Sequence, residues 1–88
     1  MTDQFHQVDF EAPARLYKWP SLNNTRREDR GPYIVADGTL DQCIRGFMNK
    51  PDNTRHLYEI RTEPQPPLVT SILSPEHVIE LSRLREFL

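Results

Sequence analysis

YIVADGTLDQCIRGFMNKPDNTRHLYEIRT, residues 33–62, is the stretch from which the fold is read. Tyr33, Ile34, Val35 and Ala36 are a continuous apolar run of strand formers. Such a run suits a strand covered on both faces. Asp37-Gly38 then reads as a break, because glycine accepts backbone angles that other residues avoid. Thr39 and Gln42 have the spacing of a capping box, in which the hydroxyl accepts from a free helix N–H and the amide reaches back. Asp41 places negative charge in the first turn, where the helix dipole favours it. Leu40, Cys43, Ile44, Phe47 and Met48 recur at helical spacing as one apolar stripe. Pro51 disfavours helical geometry at Lys50, so the helix is expected to end near Asn49. Asp52-Asn53-Thr54 is turn chemistry. A second strand is expected over Arg55–Thr62, with His56, Tyr58 and Ile60 on the buried side and Leu57, Glu59 and Arg61 on the wetter one.

Outward from this stretch, residues 63–67 read EPQPP. Three prolines in four residues exclude helix and central strand and imply a stiff, extended turn. Leu68–Leu73 reads as a third strand, apolar or small on both faces. Ser74-Pro75-Glu76 starts a helix, with serine at the N-cap, proline at the first helical position and a carboxylate in the first turn. Val78, Leu81, Leu84, Phe87 and Leu88, with Ile79 beside them, form the apolar face of that helix.

Residues 1–30 have a different character. They hold Phe5, Phe10, Tyr17 and Trp19 but show no sustained period. Five basic and five acidic residues cancel over this span. Pro13, Pro20 and the loop composition of Ser21–Thr25 interrupt it. They read as an irregular aromatic N-terminal arm, extended or partly disordered. The competing reading has the aromatics anchoring the arm on the body, with Val8–Phe10 or Leu16–Trp19 adding an edge strand.

The expected fold is thus a two-layer α+β domain over 31–88. Its order is β-α-β-β-α, a three-stranded sheet with two helices on one face. The first two strands are joined by residues 37–54, long enough for a parallel crossover, while the short helix leaves an antiparallel return equally open. The last two are expected to be antiparallel neighbours. Strands one and three look too apolar for the second sheet face to be wet, so that face is expected to be covered by the arm or by a second copy.

Composition bounds the function. A chain of 88 residues gives room for one small domain. A net charge of −2 implies neither a polyanion binder nor an acidic mimic. One cysteine permits no internal disulfide and fits a reducing compartment. No apolar run approaches the roughly 20 residues that span a bilayer, and the N-terminus lacks signal-peptide character. A cytoplasmic protein without membrane association is expected.

Candidate chemistry is sparse. Cys43 could pair with His56 or His77 as nucleophile and base, but it lies in an apolar helix stripe, where cysteine serves as a small hydrophobe. Cys43, His6, His56 and His77 lack the close spacing of metal ligands. No cofactor motif is present, and the residues argue against catalysis. The favoured reading is a non-enzymatic protein-interaction module or regulatory subunit. It would bind an unknown protein, or itself as a homodimer, through the open sheet face or the aromatic arm. Leu16, Tyr17, Trp19, Arg26, Arg27 and Tyr58 are the candidate contacts. One alternative is a small-molecule binder or small enzyme with a pocket between arm and sheet, lined by Tyr58 and His56. The other is nucleic-acid binding by Arg15, Lys18, Arg26, Arg27 and Arg30 with Tyr17 and Trp19; Glu28 and Asp29 inside that cluster count against it.

Overall fold

The computed structural model of the protein describes residues 8–66, 68 and 70–87. The readings made on Phe5, His6, Pro67, Val69 and Leu88 lie outside the described residues. In chain order the elements are β1 (Pro13–Lys18), β2 (Ser21–Leu22), β3 (Thr25–Arg26), β4 (Tyr33–Thr39) and α1 (Leu40–Met48). A 3₁₀ segment (Asp52–Leu57), β5 (Tyr58–Thr62), β6 (Ile72–Leu73) and α2 (Pro75–Phe87) follow. The chain is an α+β domain, as expected. The sheet, however, has four antiparallel-paired strands in the order β4-β1-β5-β6, not three.

The added strand comes from residues read as an arm. β1 bonds to β4 on one side (Leu16 opposite Ala36) and to β5 on the other (Leu16 opposite Ile60). It is a central strand, not an edge. β4 and β5 therefore run parallel, as the crossover length allowed, but β1 lies between them. Two inward residues, Ala14 and Leu16, give β1 a period of two, too short a pattern to stand out in sequence. Pro13 is tolerated because it is the first residue of the strand.

α1 follows the sequence closely. The Gln42 amide N–H donates to Thr39 Oγ1 (3.1 Å) and the Thr39 N–H donates to Gln42 Oε1 (2.9 Å), completing the capping box. Leu40, Cys43, Ile44 and Phe47 are buried. Asn49 is the C-cap, and the Arg55 guanidinium donates to the Met48 carbonyl (2.8 Å) at that end of the helix. Gly38 does not break the strand, which continues to Thr39. Its lack of a side chain serves the cap instead: a Cβ there would lie 2.2 Å from Gln42 Oε1.

Three other expectations change. Residues 52–57 wind into a 3₁₀ segment, so the second expected strand begins at Tyr58 and His56 is exposed. The third strand shortens to Ile72–Leu73. The run Tyr33–Ala36, expected to be covered on both faces, is an exposed edge: Tyr33, Ile34 and Val35 are 48 %, 49 % and 42 % exposed. Hydropathy reports what a strand could bury, not whether a neighbour arrives to cover it.

The core lies between the sheet and the helices. Leu16, Ile60 and Leu73 from the strands meet Leu40, Cys43, Ile44 and Phe47 of α1 and Val78 and Leu81 of α2. Phe87, counted with the apolar face of α2, is exposed. Asp41 of α1 pairs with Arg45 (3.0 Å) and with Arg85 of α2, tying the helices together.

A candidate interaction surface on the open sheet face

Directly opposite residues of an antiparallel pair share a face. The register therefore sorts the sheet. Ala14, Leu16, Ile60 and Leu73 face the helices. Arg15 and Asp37, Tyr17 and Ile34, Glu59, Arg61 and Ile72 face the other way. Arg15, Ile34, Asp37 and Ile72 are exposed on this second face, while Trp19 and, from β3, Arg26 cover its centre.

Its centre is Glu59, which is only 5 % exposed. A buried carboxylate needs partners, and three groups supply them. Trp19 Nε1 donates to Oε1 (2.8 Å), Arg61 Nε donates to Oε2 (2.7 Å), and Arg26 Nη1 lies 3.9 Å from Oε1. The two arginines also lie over aromatic rings: Arg61 over Tyr17 at 4.5 Å and Arg26 over Trp19 at 5.4 Å from the centroids. One carboxylate thus fixes two cation–π pairs in a row across the face.

Arg26 reaches this row from a hairpin that sequence composition marks only as loop. β2 and β3 pair across Asn23 and Asn24, whose φ angles are 53° and 60°. Two successive left-handed residues make the tight turn that matches strand twist, and asparagine tolerates that conformation. The hairpin is pinned to the 3₁₀ segment. Asn24 donates from its side chain to the Asn53 carbonyl (2.8 Å), and His56 Nε2 lies 2.5 Å from the Asn24 carbonyl. Arg26 Nε donates to the His56 carbonyl (2.5 Å).

Of the six candidate contacts, Tyr17, Trp19 and Arg26 converge on this row. Leu16 and Tyr58 do not, because both are buried on the helix side. Tyr58 lies beneath the Lys18 and Lys50 ammonium groups, 5.9 and 5.4 Å from its ring centroid. Arg27 stands apart, paired with Asp29 at 3.0 Å; that hydrogen bond holds the Asp29 carboxyl below the usual carboxylate range. Sequence reasoning missed Glu59 and Arg61 as members of the site. Their signal was present: the alternation of YEIRT puts opposite charges two residues apart on one face.

Two shallow depressions adjoin the row. One, of about 340 Å³, is lined by Arg15, Tyr17, Asp37, Arg61, Thr62 and Glu63, among others. The other, of about 690 Å³, is bordered by Asn24, Arg26, Glu28, His56 and Glu76. His56 thus lines a groove beside the hairpin, while Tyr58 lies in the core and lines neither.

Cys43 is 1 % exposed. Burial, with a further contribution from the Asp37 charge, pushes its thiol up to about 11. A neutral, enclosed thiol is not a nucleophile near neutral pH. Among the described residues, no three His, Cys, Asp or Glu side chains gather as metal ligands. No described helix is long and apolar enough to cross a membrane. Comparison with protein-family models, curated proteins and solved structures finds no match to this chain.

Proposed function

We propose that the chain is a non-enzymatic protein-interaction module or regulatory subunit, acting in the cytoplasm, that grips a partner with the open face of its sheet. The observation that carries this reading is the Glu59-centred row. Tyrosine, tryptophan and arginine are the residues that most often dominate binding energy at protein interfaces. Here Tyr17, Trp19, Arg26 and Arg61 are held in place before any partner arrives, which lowers the entropy cost of binding. Nucleic acid is a poorer fit. Three of the five basic residues that would track phosphates, Arg15, Arg26 and Arg27, each lie within ion-pair distance of a carboxylate.

The test is capture of a partner by the full chain, followed by alanine variants. Tyr17→Ala and Trp19→Ala are expected to abolish capture while Arg27→Ala preserves it. Circular dichroism monitors the fold throughout. A captured protein whose binding survives both aromatic replacements would rule out this face.

A further inference from the structure

Lys18 and Lys50 come from distant parts of the chain and converge on one ring. Their ammonium groups lie 5.9 and 5.4 Å from the Tyr58 centroid. Lys18 ends β1 and lies directly opposite Tyr58 of β5 and Tyr33 of β4. The three side chains therefore stand in one row on the helix side of the sheet. Lys50 reaches the same ring from the turn that follows α1. One lysine over a tyrosine is an ordinary cation–π pair. A second over the same ring adds repulsion between like charges.

No carboxylate answers that charge. Among the described residues no ion pair includes Lys18 or Lys50, whereas seven arginines each have one. The carboxylates closest in sequence to Lys50 and Tyr58 are committed elsewhere. Asp52 pairs with Arg55 at 2.9 Å. Glu59 faces the other side of the sheet and accepts from Arg61 at 2.7 Å. Nor does the carbonyl end of α1 account for the Lys50 ammonium. Arg55 already donates to the Met48 carbonyl (2.8 Å), and the Lys50 backbone N–H donates to the Phe47 carbonyl (3.0 Å).

We infer that Lys18 and Lys50 form an anion site that takes a phosphate group in its dianionic form. Two ammonium groups match two negative charges, and each offers only donors. The buried Tyr58 ring is the floor on which both lysine stems rest. Tyr33, beside Lys18 in the row and 48 % exposed, brings a hydroxyl able to donate. A carboxylate carries one charge and would leave one ammonium unanswered. A nucleic-acid backbone would need a track of such contacts rather than one point. A bound dianion removes the repulsion between the two lysines, which is the physical reason for it to bind here.

The site lies across the sheet from the Glu59 row and does not depend on it. The test is a titration of the ¹⁵N-labelled full chain with inorganic phosphate and, separately, with glycerol phosphate. Sodium chloride keeps the ionic strength constant, and the pH is about 8, where the phosphate group is a dianion. Saturable shifts of the Lys18, Lys50 and Tyr58 amide signals are expected. Lys18→Met and Lys50→Met, which keep an apolar stem over the ring, are each expected to weaken binding about tenfold while the remaining spectrum stays native. The double variant is expected to lose saturation altogether, and Arg27→Met to bind as the native chain does. Whichever phosphate saturates at the lower concentration tells a free ion from an ester as the ligand. Shifts that rise linearly with both phosphates would overturn the inference. So would shifts spread over the arginines, or binding undiminished in the double variant.

Discussion

β1 and α1 lie against each other in the core, yet they come by their structures in opposite ways. α1 is specified within ten residues. Thr39 caps it, Gln42 returns the cap, and Leu40, Cys43, Ile44 and Phe47 align by helical period alone. β1 is specified by what flanks it in space. Its hydrogen bonds go to β4, about twenty residues on in sequence, and to β5, more than forty residues on. The difference teaches that a local code can be strong without being central. The best-written element of this chain is a nine-residue helix, and the strand that joins the two halves of the sheet is nearly unmarked.

Substitutions can set the two regions against each other. The largest effect is expected at Leu16→Ala, which removes a 1 % exposed side chain from the middle of the sheet. Loss of about 2–5 kcal/mol is expected, measured by urea denaturation. A loss under about 0.5 kcal/mol would mean that residues 13–18 do not occupy the central position. The next effect depends on pH. Because the Cys43 thiol is raised in the fold, its contribution to stability is complete below pH 9, the ordinary value, and falls as pH rises towards about 11. The native protein should therefore lose stability across that window more steeply than a Cys43→Ala variant does. Equal slopes would place the thiol in water.

Thr39→Ala is expected to cost about 1 kcal/mol, since it removes one half of the cap and leaves the packing alone. A cost several times larger would show that the cap also holds the end of β4. The smallest effect is expected at Phe87→Ala. That side chain is 88 % exposed although it falls on the apolar stripe of α2, and the change should stay within about 0.5 kcal/mol. A large loss in thermal melts would indicate that another surface covers it in solution.

Tyr17, Trp19 and Arg26 were legible as candidate contacts because aromatic and basic residues interleaved in a segment without period have few structural uses. Leu16, in the same cluster, is a core residue. Distinguishing it required the parity of β1, and parity has no meaning until the register is known. Glu59 shows the converse. A carboxylate in a strand reads as solvent-facing, yet it is buried because Trp19, just past β1, and Arg26, from the β2–β3 hairpin, arrive from more than thirty residues away in sequence. His56 reads from sequence as a strand-face residue because DNTRHL carries no pattern that separates a 3₁₀ segment from an irregular strand start.

The sequence by itself determined the α+β class, the cap and stripe of α1 and the start of α2 at Ser74-Pro75. These rest on interactions within a few residues, where spacing is geometry. The tertiary structure decided the fourth strand, the central place of β1, the exposure of Tyr33–Val35 and the burial of Glu59. Each depends on which distant segment lies alongside, and a strand's own side chains do not record its neighbours.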